Sequence, residues 1–479
     1  MKNLIPQGVW SHFHSLTQIP RPSGKKEEVS AFLADYGRSL GLETIVDAIG
    51  NVIIRKPASA GYENHPGVIL QGHMDMVPQK NNDTAFDFEK DPIEAYVDGE
   101  WVTAKGTTLG ADNGIGVAAA MAILADKSVV HPPLEVLVTV DEETGMYGAF
   151  ALEGGLLQGK ILLNLDSETE GELYVGCAGG VDTTAKFQYT PVPVEEGDVA
   201  IKISLTGCKG GHSGCDIHLQ RANANKLLFR FLKDAVANFE ARLASVEGGS
   251  LRNAIPREAS AIITIPAEGV EEIIDLVAEY EDLFVTEYEG VEDNIHFTAE
   301  EVACPTTELP EDVQDFLIHA VTACPHGVYR VIPEMPDVVE TSNNLAMLTT
   351  EDNCVTVMCL TRSSVESRKE ELQEIIQSVF AMAGAEVEFS GSYPGWKPNL
   401  NSRILGVMQD VYKQEFAAEP RIIIIHAGLE CGIIGRNYPG MDMISFGPTI
   451  KYPHSPDERV NIPSVEKFYH FLLATLKAL

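Results

Sequence analysis

The chain has 479 residues, with 70 acidic side chains against 35 Lys plus Arg and a formal charge of −35; a surface of that sign repels phosphate backbones and anionic headgroups, which excludes nucleic acid and acidic membranes as partners. Hydrophobic residues make up 44% and charged residues 22%, the balance of a folded chain, and the length predicts two or three domains. The longest apolar runs, such as 117–125, are too short to span a bilayer, and residues 1–6 carry no apolar stretch leading to a small-residue cleavage site, so a cytoplasmic location is expected.

In chain order, Ser23 followed by 25–40 reads as a capped helix stopped by Gly41, and 51–54 as a strand. Three short apolar runs, 68–70, 134–140 and 161–165, read as strands buried on both faces. Each runs into polar chemistry: His73 and Asp75, then Asp141-Glu142-Glu143, then Asp166. Ligands of an open α/β sheet bind outside the carboxyl ends of its strands, so three such arrivals predict one shared site. From about Val181 the pattern changes to a strand near 201–205, a helix over 224–237, a strand near 259–265 and an acidic helix placing Val270, Ile273, Ile274, Val277 and Phe284 on one face. Strand, helix, strand, helix follow between 294 and 390. The Gly/Pro-rich stretch 391–395 marks a boundary, after which 422–425 and 443–446 read as strands and 464–477 as a closing helix. The predicted partition is an α/β domain made of 1–180 and 396–479, with an α+β domain, 181–395, inserted between them. The eight cysteines form no C-x-x-C pair and are expected to be buried thiols and not disulfides or zinc ligands.

Two motifs are decoys. Gly114 to Ala119 fits a loose dinucleotide fingerprint but follows a polar stretch where a strand is required, and Gly154 to Lys160 has phosphate-loop spacing but is followed by Ile161 where Ser or Thr must stand. What remains is His, Asp and Glu at strand ends. In His73-Met74-Asp75 the His and Asp share a face of an extended segment, so the carboxylate can accept the second ring N–H. Asp112 lies in a glycine-rich turn opening an Ala-rich helix, where helix-end N–H groups would hold its carboxylate ionised and leave it able to bridge two cations. Glu142 and Glu143 diverge, so one can bind metal while the other faces a water. With Asp166 and His454 these residues match the donors that a paired-metal site requires, and imidazole plus carboxylate without thiolate suits zinc, manganese or cobalt.

The runs His73-Met74-Asp75-Met76-Val77-Pro78, Thr107-Thr108-Leu109-Gly110-Ala111-Asp112-Asn113-Gly114, Thr139-Val140-Asp141-Glu142-Glu143-Thr144-Gly145-Met146, Asn164-Leu165-Asp166-Ser167-Glu168, Gly210-Gly211-His212-Ser213-Gly214 and His454-Ser455-Pro456-Asp457-Glu458 resemble the aminoacyl-histidine (Xaa-His) dipeptidases of the M20 co-catalytic metallopeptidases, in order along nearly the whole chain. The resemblance implies a two-domain fold, an α/β catalytic domain with a central mixed sheet plus an inserted α+β lid. It implies two divalent ions, zinc foremost with cobalt or manganese open: His73 and Asp166 on one, Glu143 and His454 on the other, Asp112 bridging. Asp75 would orient His73, and Glu142 would act as general base. His212, Asn253 and Arg362 would contact substrate, Arg362 suiting a terminal carboxylate because a guanidinium fork grips both oxygens. The implied activity is cleavage of dipeptides with a free amino terminus, including Xaa-His. An N-acyl amino acid deacylase or tripeptidase of the same clan shares the metal motifs and stays open. A metal-stabilised binding protein without catalysis is disfavoured by the spare base Glu142, which a closed structural site does not need. A homodimer is the expected assembly, with a monomer left open, and His426 and Glu430 stand as unassigned candidates.

Overall fold

Apolar runs without alternation need cover on both faces, and here they become the central strands of a mixed sheet. The computed structural model describes residue 1 and residues 3–479; Lys2, in the start read above for a signal, lies outside the described residues. Strands Val68–His73, Leu134–Thr139 and Ile161–Asn164 are buried along their whole length. They are neighbours and parallel, and Asp442–Ser445 joins them in parallel. Glu43–Val46 and Val52–Lys56 add antiparallel strands on one side and Glu172–Cys177 on the other, and Arg421–Ile425 next to Glu172–Cys177 completes an eight-stranded sheet. Parallel register pairs His73 with Thr139 and Gln71 with Asn164, so the carboxyl ends of all three central strands come out together.

The chain divides into two units, Met1–Gly176 with Trp396–Ile424 and Leu429–Leu479, and Cys177–Gly395 with Ile425–Gly428. In the first, the Ala-rich helix Ala111–Ala125 is buried on nearly every side. A Cβ at Gly116 would fall 2.6 Å from the Leu165 carbonyl, so this glycine of the loose dinucleotide pattern is there for close packing. The helix expected over 25–40 runs Glu27–Ser39 with no side-chain cap; Ser23 lies off it and bonds elsewhere. Among the described residues no helix is long and apolar enough to cross a membrane.

The second unit is a nine-stranded antiparallel sheet with helices Ala224–Asn238, Val270–Glu287, Glu311–Ala323 and Glu366–Met382 sharing its core. Alternation sets the packed face: Ile201, Ile203 and Leu205 are buried while Lys202 is exposed. Phe231, Phe284 and Phe297 meet edge to face inside it. On the acidic helix Ile273, Val277 and Phe284 are buried as expected, but Ile274 is 47% exposed and Leu276 is buried instead. Successive helical residues are rotated by about 100°, which swings Ile274 off the stripe set by the other three. The sequence pattern between 294 and 390 also hides a hairpin, Met335–Glu351 with Cys354–Ser363. Five of the eight cysteines are buried as expected, whereas Cys215 and Cys304 are exposed.

Candidate metal centre

His73 closes its strand with the ring fully buried. Its Nδ1 lies 3.1 Å from the Asp75 carbonyl and 3.4 Å from Asp75 Oδ1, which commits Nε2 to the other side. There Nε2 stands 3.1 Å from Asp112 Oδ1 and 3.3 Å from Asp166 Oδ1. Asp75 is itself held, accepting from the Ser23 hydroxyl at 2.8 Å and from the backbone N–H groups of Glu142 and Glu143 at 3.0 and 3.3 Å. The residue expected to cap a helix thus supports the carboxylate behind His73.

The turn carrying Asp112 departs from expectation in one respect. Its backbone N–H groups do not hold Asp112; those of Leu109, Gly110, Ala111 and Asp112 all donate to the Glu458 carboxylate, at 2.8, 3.0, 2.7 and 3.3 Å. The reason is local geometry: Asp112 has non-helical torsions at the helix start, so its side chain points away from the N–H groups of its own turn. Arg21 grips the same turn from its carbonyl side, donating to Gly110 O and also to the carbonyls of Met74 and Asp75. At Gly72 an added Cβ would lie 2.1 Å from Asn113 Oδ1, so only glycine lets the strand pass this close to the turn.

Freed in this way, the Asp112 carboxylate stands between two imidazoles, Oδ1 facing His73 and Oδ2 lying 3.1 Å from His454 Nε2. Glu143 Oε2 is 3.0 Å from the same His454 nitrogen. His454 has φ +59°, a left-handed conformation costly for a residue with a Cβ and characteristic of functional sites. His73, Asp112 and Glu143 offer ligand atoms that all lie within 4.8 Å of one another, and Asp166 and His454 adjoin them.

The electrostatics follow from too many carboxylates in too little water. Burial would raise Asp112, but the hydrogen bonds from His454 and His73 hold it well below the usual carboxylate range. Asp166 is pushed up to about 7 by burial, with Asp112 and Glu143 adding to the rise and His73 opposing it. Glu142, partly buried, is raised well above its ordinary value by burial, opposed by His73 and reinforced by Asp166, Glu430 and Glu143. His454 is lifted to about 11 by its hydrogen bonds to Asp112 and Glu143.

This donor set fits divalent cations. Glu143 Oε1 and Asp166 Oδ1 are buried without a hydrogen-bond partner; the 3.3 Å approach of His73 to Asp166 lacks hydrogen-bond geometry. Arg21, a buried cation beside the site, directs Nη1 and Nη2 to backbone carbonyls and not to these two oxygens. Buried charges are stable when paired or coordinated to metal, and all five oxygen and nitrogen donors are of the kind that zinc, cobalt and manganese accept.

The expected substrate-binding residues lie in the second unit, gathered about Ser213. Arg362 Nε reaches the Ser213 hydroxyl at 3.4 Å and Nη1 donates to the Tyr393 hydroxyl at 2.8 Å. The Ser213 N–H donates to the Asn253 carbonyl at 2.8 Å, and the Asn253 residue is exposed. His212 Nδ1 accepts from the N–H groups of Gly214 and Cys215, which assigns the ring proton to Nε2; burial, with Arg362 adding to it, lowers its pKa to about 4. His426, unassigned in the sequence, belongs to this unit and pairs with the Ser342 hydroxyl at 2.7 Å.

Residues 69–478 match the peptidase family M20/M25/M40. The chain belongs to the M20 peptidase family. It is 47% identical over 477 residues to the cytosol non-specific dipeptidase of Escherichia coli (strain K12), covering 100% of this chain and 98% of that protein. The crystal structure of aminoacylhistidine dipeptidase from Vibrio alginolyticus matches at TM-score 0.94 and 49% identity, covering 100% of this chain and 98% of the other. Aminopeptidase PepT from Bacillus cereus matches at TM-score 0.58 and 16% identity over 99% of both chains, a likeness of fold alone. The M20 architecture, a catalytic domain with a central mixed sheet and a separate smaller domain, is therefore the fold of this chain, and an M20 peptidase is a metal-dependent hydrolase.

Arg21 and Ser23, both important to this M20 centre, gave no sequence signal of their role. Glu458, which holds the Asp112 turn, follows His454 by four residues, and an acid so close to a ligand candidate is the one sequence hint of its role.

Proposed function

We propose that this M20 peptidase is a cytosolic zinc dipeptidase that cleaves dipeptides with a free amino terminus, including Xaa-His and β-alanyl-histidine. The observation that carries the reading is a donor set centred on Asp112 in a chain that covers 98% of two proteins whose names record dipeptide and aminoacylhistidine cleavage. His73 and Asp166 would hold one ion, Glu143 and His454 the other, and Asp112 both. Bound there, the ions would polarise the scissile carbonyl and lower the pKa of the attacking water.

Glu142 takes the proton from that water and hands it to the leaving amine; a carboxyl whose pKa is raised by burial keeps a proton long enough to deliver it. Asp75 fixes the ring of His73 through Nδ1. Arg362, braced by Tyr393 and Ser213, grips the terminal carboxylate of the dipeptide. His212 offers its Nε2 proton to the oxyanion, and Asn253 supports the substrate backbone.

The test is histidine release from Ala-His and β-Ala-His by the purified protein, with N-acetyl-Ala and Ala-Ala-Ala alongside. Cleavage of the dipeptides alone supports the reading. Cleavage of only the acetylated substrate would make the protein a deacylase, and of only the tripeptide a tripeptidase.

A further inference from the structure

Beneath the candidate ligands lies a second layer of buried polar side chains that the proposed chemistry does not use. Gln71 stands two residues before His73 and Asn164 two before Asp166, while Thr139 ends the strand leading to Glu142. Residues two apart on a strand share a face, so this layer sits directly behind the site. Its members are joined strand to strand in sheet order. Asn164 Nδ2 donates to Gln71 Oε1 at 2.5 Å, and Asn164 Oδ1 accepts from the Ser445 hydroxyl and from the backbone N–H of Asp166.

Glu430, the first residue of helix Glu430–Asn437, closes the layer. Its Oε2 accepts from Thr139 Oγ at 2.7 Å and from Gln71 Nε2 at 2.5 Å, while Oε1 is buried with no hydrogen-bond partner. An orphaned buried oxygen is destabilising, and an apolar side chain of similar shape would avoid it. What the carboxyl gives in return is a clamp: one oxygen holds the strand of His73 and the strand leading to Glu142 and Glu143. The clamp lies where the backbone ladder stops, since His73 and Thr139 are the last pair in register.

We propose that Glu430 is a positioning residue for the metal centre, fixing the ends of the two strands that deliver His73 and Glu142-Glu143 without touching any ligand. The inference rests on the metal-centre reading above and not on the substrate assigned to it. Outer-shell partners of metal ligands typically change metal affinity or activity by about 10–100-fold when removed.

The experiment compares wild type, Glu430→Gln and Glu430→Leu by cobalt affinity (chelator competition), by the visible absorption of the cobalt-loaded protein, and by kcat and KM on Ala-His. Glu430→Gln keeps one acceptor oxygen for both donors and should stay within about 3-fold of wild type in cobalt affinity. Glu430→Leu should bind cobalt about 10–100-fold more weakly, shift its absorption bands and lose kcat by a similar factor with KM nearly unchanged. A folded Glu430→Leu with wild-type affinity, spectrum and kcat overturns the proposal. Should that variant not fold, Thr139→Val, which keeps side-chain shape and deletes one bond to Glu430, decides by the same readouts: weaker cobalt binding supports the clamp and wild-type binding overturns it. Wild-type protein that binds cobalt but cleaves no dipeptide would sink the dipeptidase reading alone, and the affinity and spectral comparison would still decide Glu430.

Discussion

Replacing Glu458 by Gln perturbs the turn that aims Asp112 while adding almost no volume. Glu458 is 2% exposed, and its two oxygens accept four backbone N–H groups from Leu109 to Asp112. The amide of Gln has one acceptor oxygen, so two of the four N–H groups lose their partner and face an NH2 group instead. A hydrogen bond to a charged acceptor contributes about 1.5–3 kcal/mol, which for two lost bonds puts the expected destabilisation at about 3–6 kcal/mol. For a unit of this size each kcal/mol lowers Tm by roughly 2–4 °C, so calorimetry should show a fall of about 6–24 °C. Because the turn also sets where Asp112 sits between His73 and His454, zinc affinity measured by chelator competition should weaken by about 10–100-fold. A variant that keeps both wild-type Tm and wild-type zinc affinity would refute the claim that Glu458 organises this turn.

Two further outcomes follow from the same geometry. Ser23→Ala removes one of the hydrogen bonds that hold Asp75, worth about 1 kcal/mol, and should lower kcat/KM roughly 5-fold with metal content unchanged; an unchanged kcat/KM would show that Asp75 does not need it. His326, whose Nδ1 accepts from Asn223 and the Leu345 N–H, is pushed down to about 3 by burial, with Lys226 adding to the fall. Between that value and the unfolded value of about 6.5 the unfolded chain binds the proton and the folded chain does not, so this histidine's contribution is present above pH 6.5 and is lost as pH falls. His326→Asn, which keeps an acceptor near the Nδ1 position, should flatten the acid limb of urea-unfolding stability by up to about 1.4 kcal/mol per pH unit; an unaltered limb would contradict the assignment.

What the sequence made legible was what local pattern encodes. Apolar runs at 68–70, 134–140 and 161–165 became buried parallel strands, and parallel strands put their carboxyl ends on one side, which is why His73, Glu143 and Asp166 could be read as a group; Asp112, in a helix-opening turn, and His454, far along the chain, were joined to them by the family resemblance, and the five lie together. What stayed hidden depends on contacts between residues far apart in the chain. Arg21 bonds Gly110, 89 positions on, and Glu458 bonds Leu109, 349 positions back. No local periodicity carries such information. Ser23 looked like a helix cap because Ser before a helical pattern usually is one, yet its hydroxyl goes to Asp75. Ile274 looked inward-facing because it is apolar and next to Ile273, and the phase of the helix decided otherwise. The excursion of Ile425–Gly428 into the second unit has no composition signal, since it is made by tertiary packing of four residues between a strand and a helix.

The proposed mechanism has Glu142 move a proton at a centre whose metals would be held by other residues. Its most direct test is to count metal ions per chain and measure kcat on Ala-His for wild type and Glu142→Ala under the same conditions. Two divalent ions are expected in both proteins, with kcat lower by about 10²–10⁴-fold in the variant. Wild-type turnover by Glu142→Ala with both ions in place would contradict it.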